Sequence, residues 1–419
     1  MRILIVGGGG REHTIAWKLA QSPLVDKLYC APGNGGIAQV AECVPITATD
    51  IDGIVDFASK NNIDLTFVAP DDPLVMGMVD ALEAKGLKAF GPNKDAAIIE
   101  GSKVFSKELM KKYGIPTAEY EVFTSSADAL AYIEDKPCPI VIKAEGLALG
   151  KGVIIAQTKD EARDAIREMM DNAMFGDAGK RIVIEEYLTG PEISVLAFTD
   201  GKTIKPMVSA QDHKRAYDGD KGLNTGGMGT FSPSRIYTPE LAETCMNEVF
   251  LPTMEAMNKE GRTFKGVLYF GLMLTQNGIR VIEYNCRFGD PETQVVLPRL
   301  KTDLAEIILA IVEERLDEIE IEWYDNAAVC VVMASGGYPL KYEKGYPIEG
   351  LDEACKADNI TVFHAGTKKD GGKLVTAGGR VLGVTATAPD LDSAIRDAYA
   401  AVEKISFKDA HYRKDIGIK

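Results

Sequence analysis

The sequence predicts a multidomain protein of mixed α/β and α+β class, with a parallel sheet at its amino end. Three observations carry this. Short apolar runs rich in β-branched residues, at 3–6 and 65–68, alternate with helical patterns over the first hundred residues, the order that builds a parallel sheet covered by helices. The character of the chain changes near residue 100 and again near residue 326. The length of 419 residues fits roughly two to four domains and can bury a large core without covalent staples.

The elements follow in order. Residues 3–6 form a strand that Gly7-Gly8-Gly9-Gly10 ends, and residues 11–21 read as a helix with Ile15 and Leu19 one turn apart. Residues 65–68 form a second buried strand. Pro70-Asp71-Asp72-Pro73 then leads into a helical run over 74–82, since proline and acidic residues suit the exposed N–H groups of a helix start. Gly101-Ser102-Lys103 opens a helix that Gly114-Ile115-Pro116 stops. The segment 119–190 mixes strands at 139–143, 152–156 and 181–187 with a helix near 159–172. Residues 205–235 read as a long polar, Gly-rich loop, and loops of that length are usually functional or disordered. Strands at 266–274 and 279–285 come next. Those at 327–333, 361–364 and 381–386 suggest a smaller α/β tail domain, and 387–419 read as a polar helical tail with no functional signal.

Composition narrows the function classes. Lys and Arg total 47 against 62 Asp and Glu, a net charge of -15, which argues against a nucleic-acid binder. The seven cysteines are odd in number and contain no C-x-x-C pair, so neither a disulfide framework nor a cysteine zinc site is expected, and a reducing cytoplasm is the natural reading. No basic stretch followed by an apolar run opens the chain, and no apolar stretch reaches the roughly 18 residues of a membrane span.

Six groups of residues could carry chemistry. Gly7-Gly8-Gly9-Gly10-Arg11-Glu12 lies between a strand and a helix, where glycines admit an anion to free N–H groups. Glu12 breaks the dinucleotide fingerprint, so the turn reads either as a phosphate site with Arg11 as charge partner or as a plain tight turn. Pro32-Gly33-Asn34-Gly35-Gly36 carries the same ambiguity. The segment from Val141 through Gly146, Gly150 and Gly152 to Val153 is strand, Gly-rich turn, strand. It is not a Walker A loop, because only three residues separate Gly146 from Gly150 and Gly152 stands where Ser or Thr should be. Such a hairpin can fold over phosphates, and Lys143 at the end of an apolar strand needs an anionic partner, which a triphosphate would supply. The alternative is a hairpin with snorkelling lysines. Glu185-Glu186-Tyr187-Leu188 through Glu192 follows an apolar strand whose edge could read adenine and ribose, or be an ordinary acidic strand end. Glu283 and Asn285 share one face of a strand and offer the hard oxygen donors that suit Mg²⁺; an ordinary polar face is the competing reading. Arg287 could pair with a carboxylate through two parallel hydrogen bonds. Gln211-Asp212-His213-Lys214-Arg215 reads as a substrate loop or a solvated basic one, with His213 a proton carrier or a structural histidine.

In order and spacing these motifs resemble the glycinamide ribonucleotide synthetase family. Gly101-Ser102-Lys103, residues 141–153, 211–215, 224–229 and 285–294 carry the resemblance. Ala334-Ser335-Gly336-Gly337-Tyr338-Pro339, His364-Ala365-Gly366-Thr367 and Gly378-Gly379-Arg380-Val381-Leu382 extend it to about residue 386. The resemblance implies an ATP-grasp fold: a Rossmann-like phosphoribosylamine-binding domain over 1–100, a central domain over 101–118 and 191–325, a mobile lid over 119–190, and a small C-terminal domain over 326–419. It implies ATP contacts at Lys103, Lys143, Gly150, Glu185, Tyr187, Leu188 and Glu192, and a Mg²⁺ or Mn²⁺ site at Glu283 and Asn285. Asp212, Lys214 and Arg287 match the glycine or product pocket and are the catalytic candidates. Gly8, Gly9, Gly10, Arg11, Gly33 and Asn34 are the candidates for holding the sugar phosphate. The chain departs from the family at Asp71-Asp72, at Glu145, and in lacking an acidic residue on 266–274.

The implied reaction joins glycine to 5-phosphoribosylamine through an acyl phosphate, at the expense of ATP, in a cytoplasmic monomer that touches neither nucleic acid nor membrane. Three other readings stand beside it. A biotin-dependent carboxylase subunit would turn over ATP with bicarbonate in place of glycine. A dinucleotide oxidoreductase would bind NAD(P)H. A non-catalytic nucleotide sensor would have no need of Glu283 and Asn285.

Overall fold

The computed structural model describes residues 1–147, 152–172 and 174–418. At the amino end, five parallel strands order as Glu42–Cys43, Lys27–Pro32, Arg2–Gly7, Leu65–Val68 and Ala89–Phe90. The central strand is buried on both faces, as parallel strands are. Leu4 and Val6 enter one hydrophobic cluster and Ile3 and Ile5 the other, each side chain contributing roughly 1.5–3 kcal/mol by burial. The helix Gly10–Leu19 follows the first strand as expected. The run over 74–82 differs from expectation. It forms two short helices, Asp71–Met76 and Met78–Glu83, because Gly77 takes a left-handed conformation (φ 95°) and breaks the turn.

Two further sheets frame the centre. Ile204–Pro206, Glu192–Thr199, Gly266–Thr275 and Gly278–Asn285 form an antiparallel sheet in that order. A smaller sheet orders Tyr120–Phe123, Ile182–Glu186, Ile140–Ala144 and Val153–Ala156. It has a core of its own in Ala129, Ile133, Ile142, Ile166 and Ile184, which makes this segment a separate small body. The helix expected near 159–172 runs over Lys159–Ile166 and widens into a π-type turn, Arg167–Asp171.

The stretch 205–235, expected as a loop, instead contains short strands. Gln211–Asp212 and Gly229–Ser232 join a five-stranded sheet with Ala327–Ala334, Arg380–Ala388 and Ile360–His364. Between them, Arg215–Tyr217 and Lys221–Asn224 pair as a hairpin. The tail also departs from expectation: after the helix Leu391–Val402 it folds back, and Arg413 and Ile416 are fully buried. No helix among the described residues is long and apolar enough to cross a membrane.

Candidate active site

A cleft of about 700 Å³ runs between the small sheet, the ends of the central strands and the polar stretch around residue 214. Of the expected site residues, Lys103, Lys143, Glu185, Tyr187, Leu188, Glu192, Asp212, Lys214, Glu283, Asn285 and Arg287 all line it. Gly150 lies outside the described residues.

One end is cationic. Ser102 caps the helix Lys103–Tyr113 by accepting from Phe105 N–H, and its hydroxyl donates to Glu145 at 2.9 Å. Lys103 Nζ donates to the Gly146 carbonyl at 3.0 Å, so the helix start is stitched to the turn after Ile140–Ala144. Arg181 pairs with both oxygens of Glu145. One helical turn beyond Lys103, on the same face, Lys107 is 3.1 Å from Glu185 and donates to Thr117 at 2.7 Å. Lys143 does not wait for a ligand as its anionic partner: it lies 3.0 Å from Glu185 and donates to the Ile282 carbonyl at 3.2 Å. The register explains the pairing, since Val141 lies opposite Glu185 and Lys143 is two residues on. Glu185 is thus committed to two lysines. Lys103, Lys107 and Lys143 share Glu185 and Glu283 as their nearest counter-charges, an excess of ammonium over carboxylate that suits this part of the cleft to a polyanion. Burial lowers the Lys103 pKa, with Glu283 only partly opposing, and brings Lys107 down to about 8, with Glu185 only partly opposing. Val141, Ile155 and Met273 give the neighbouring wall an apolar surface beside Tyr187 and Leu188.

The other end carries oxygen donors. Along Gly278–Asn285 the side chain of Tyr284 turns into the core and bonds Thr253 at 2.9 Å, while Glu283 and Asn285 face the cleft. Asn285 gives its NH₂ to Glu100 at 2.9 Å, and no hydrogen bond from a described residue reaches its carbonyl oxygen. Burial raises the Glu283 pKa, but Lys214, Lys143, Lys103 and Arg287 outweigh it, so the group sits below its ordinary value and is a carboxylate. No cluster of three or more His, Cys, Asp or Glu among the described residues could cage an ion. A charged carboxylate beside an amide oxygen fits a divalent cation that takes few protein ligands and completes its shell with phosphates and water.

Glu100, which sequence reasoning missed, organises this end. It accepts from Asn285, from Cys286 N–H at 2.7 Å and from Arg287 at 2.9 Å. Arg287 also donates to the Phe288 carbonyl, and its buried Nε has no hydrogen-bond partner among the described residues. Burial opposes its charge, but Glu100 and Asp71 hold its pKa above the ordinary value. Lys214 stands 2.9 Å from Glu192 and 3.6 Å from Glu283. Asp212 is half-buried and accepts from His213 N–H at 2.7 Å; burial and the neighbouring Glu292 push its carboxyl well above the usual range. Glu292 is itself buried against Tyr269 and Ser194 at 3.0 and 3.2 Å. The His213 ring is buried 5.9 Å from Phe231, with its pKa brought down to about 4 by burial and then by Arg413. It is neutral near pH 7, which fits the structural reading.

The residues expected to hold the sugar phosphate do not line the cleft. A Cβ on Gly8 would meet the Gly33 carbonyl oxygen at 2.5 Å, so backbone contact between the two loops accounts for this pair. Gly9 N–H donates to Glu12 at 2.6 Å, and Arg11 N–H to Asp290 at 3.3 Å. Arg11 gives its guanidinium to Glu12 and to the Phe288 carbonyl. Gly10 faces Gln294, and the Asn34 amide is spent on Gly8, His364, Gly36 and Ile37. Arg11 is therefore not an open cation: two carboxylates already satisfy this helix start. Asp290 lines the cleft and links the turn to it.

The sequence matches the phosphoribosylglycinamide synthetase N domain over residues 1–100, its ATP-grasp (A) domain over 101–293 and its C domain over 328–419. The phosphoribosylamine–glycine ligase of Halalkalibacterium halodurans is 52% identical over 419 residues, 100% of this chain and 97% of that protein. That of Escherichia coli is 51% identical, over 100% and 98% of the two. The crystal structure of the Thermotoga maritima phosphoribosylamine–glycine ligase aligns with a TM-score of 0.85 at 34% identity, covering 99% of this chain and 100% of that one. A biotin carboxylase from Campylobacter jejuni, at a TM-score of 0.75 and 15% identity over 100% and 94% of the chains, shares the fold alone. With its amino-terminal, ATP-grasp and carboxyl-terminal parts all matched in order, the chain belongs to the phosphoribosylglycinamide synthetase family.

Proposed function

We infer that the protein ligates glycine to 5-phosphoribosylamine at the expense of ATP, giving glycinamide ribonucleotide, ADP and phosphate. One observation carries this beyond the family match: a single cleft is lined by Lys103, Lys107 and Lys143, by the oxygen pair Glu283 and Asn285, by Lys214 at 3.6 Å from Glu283, and by Arg287 and Asp212.

The chemistry explains the arrangement. Glycine carboxylate is a poor electrophile. Its oxygen attacks the γ-phosphorus of ATP, the bond to ADP breaks, and glycyl phosphate forms. The amine of phosphoribosylamine then attacks the carbonyl and phosphate leaves. Neither step needs a covalent protein nucleophile; both need alignment and neutralised charge. Lys103, Lys107 and Lys143 face the nucleotide phosphates, with adenine against Tyr187, Leu188 and the apolar wall. Glu283 and Asn285 would hold Mg²⁺ or Mn²⁺, which supplies further charge neutralisation on the phosphates. Lys214 and Arg287 receive the glycine carboxylate. Asp212, on the same lining, is the carboxyl group placed to take the proton that the attacking amine loses. The Gly8–Arg11 turn and Asn34 remain the proposal for the sugar phosphate, which would compete with Asp290 for the N–H of Arg11.

The test is ADP release with ATP, Mg²⁺ and glycine, with and without fresh phosphoribosylamine, beside Asn285→Ala. Release that needs both substrates and collapses in the variant supports the ligase reading. Bicarbonate-dependent release without glycine would point to a carboxylase instead. All seven cysteines are free thiols, which suits a reducing cytoplasm. Light scattering on the purified protein tests whether it is a monomer.

A further inference from the structure

The hairpin of Arg215–Tyr217 and Lys221–Asn224 stands alone as a two-stranded sheet. It turns through Gly219 and Asp220, both in left-handed conformations (φ 70° and 55°), and residues 217–223 are exposed. A lone two-stranded hairpin is marginal in water. Yet this one follows directly on Lys214, and Arg215, Asp220 and Asn224 line the cleft.

The carboxyl-terminal tail holds it. Arg413 has no exposed side-chain surface. Its Nη1 donates to the Arg215 carbonyl at 3.1 Å, its Nε and Nη2 each reach Asp415 at 2.7 Å, and Nη2 lies 2.9 Å from Asp220. Asp415 accepts from Gly219 N–H at 2.9 Å, and Lys414 N–H donates to Asp218 at 2.7 Å. His411 Nε2 is 2.7 Å from the Ala216 carbonyl oxygen. The tail is itself pinned. Tyr399, on the helix Leu391–Val402, donates its hydroxyl to the Arg413 carbonyl at 2.8 Å and accepts from Ile416 N–H at 3.0 Å. His411 also exchanges both backbone hydrogen bonds with Ala334. A buried guanidinium fork fixes direction as well as distance. Arg413 thus ties the back of the hairpin to the rigid C-terminal sheet and helix.

We propose that Arg413 is a positioning residue for the reaction: the tail clamps the hairpin so that Lys214 keeps its place beside Glu192 and Glu283 and meets the substrate carboxylate. The proposal rests on the reading of the Asp212–Lys214 wall as the one that receives glycine.

Full-length Arg413→Gln, Arg413→Lys and Tyr399→Phe proteins test it with two readouts. The rate of tryptic nicking after Lys214, Arg215 and Lys221, followed by mass spectrometry, reports hairpin order and needs no activity. Separate KM values for glycine and ATP report positioning. In Arg413→Gln, nicking should accelerate and the glycine KM rise on the order of 10–100-fold, with the ATP KM within about twofold of the parent. Arg413→Lys, which keeps the charge and loses the fork, should fall between. Tyr399→Phe removes one hydroxyl, should show the same split in smaller measure, and serves if Arg413→Gln does not fold. Unchanged nicking with an unchanged glycine KM overturns the proposal, and so does equal loss toward ATP and glycine. Faster nicking in Arg413→Gln beside a parent with no glycine-dependent turnover would leave the clamp standing and overturn the glycine assignment.

Discussion

Lys107 and Glu185 meet at 3.1 Å across the seam between the helix Lys103–Tyr113 and the small four-stranded sheet, both side chains almost without exposed surface. The carboxylate also serves Lys143, so the helix side and the sheet side of the cleft share one counter-ion. Burial keeps Lys107 at a pKa of about 8, and it therefore loses its proton as pH rises through that value. Lys107→Met should raise the ATP KM roughly fivefold, about 1 kcal/mol. In the parent, the ATP KM should climb above pH 8, and in the variant that climb should vanish. Initial rates across pH 7 to 9.5 check both.

Glu100 is the sole side-chain carboxylate that Arg287 pairs with among the described residues, and it orients Asn285 as well. Glu100→Gln removes the carboxylate paired with a buried guanidinium and leaves it only the more distant Asp71, a loss of about 3 kcal/mol, the lower end for removing one partner of a buried pair. The Mg²⁺ concentration for half-maximal rate should rise by about tenfold or more, because the amide that would hold the ion loses its brace. Urea unfolding and a Mg²⁺ titration measure the two effects separately.

Three buried histidines set an acid limit. Burial brings His13 down to about 3, and His213 and His364 to about 4. As pH falls, the unfolded chain takes up protons near pH 6.5 while the folded chain does not, so protonation favours unfolding. Stability is full above about pH 6.5 and drains as pH falls toward 4, each histidine costing about 3 kcal/mol by then. The urea midpoint measured from pH 8 to 4 should show this decline, with a shallower slope in His213→Phe.

Gly8→Ala places a methyl 2.5 Å from the Gly33 carbonyl oxygen. Two backbones must part, at about 1–3 kcal/mol. Thermal unfolding should show that loss. If the turn holds the sugar phosphate, the KM for phosphoribosylamine should rise while those for glycine and ATP stay put.

Much of the frame was legible in the chain. The first strand reads as buried on both faces because Ile3, Leu4, Ile5 and Val6 are all apolar, and they do divide between two cores. Glu283 and Asn285 could be placed on one face by alternation alone, with Tyr284 between them in the core. Other parts lacked a local signal. Strands of two to four residues within 205–235 are too short to show a period. Asp290 reaches the first helix from 279 residues away, and no motif at Gly7–Glu12 announces it. Two missed residues did leave traces. Glu100 is an acid in the last turn of the helix Lys94–Gly101, where the helix dipole disfavours it. Lys107 repeats Lys103 at helical spacing on a face that elsewhere turns inward.

The pairing of Gly229–Ser232 with Ala327–Ala334 also sets the rule for recombining this protein with a relative. A chimera joined near residue 326 would take the C-terminal sheet from one parent and two of its strands, with the cleft hairpin they bracket, from the other. Crossovers placed before Gln211 and after Ser232, moved together with the terminal segment, would carry Asp212, Lys214 and the hairpin with their support as one heritable unit. Exchange of substrate preference between relatives is then expected to travel in two distant stretches of sequence, never in one.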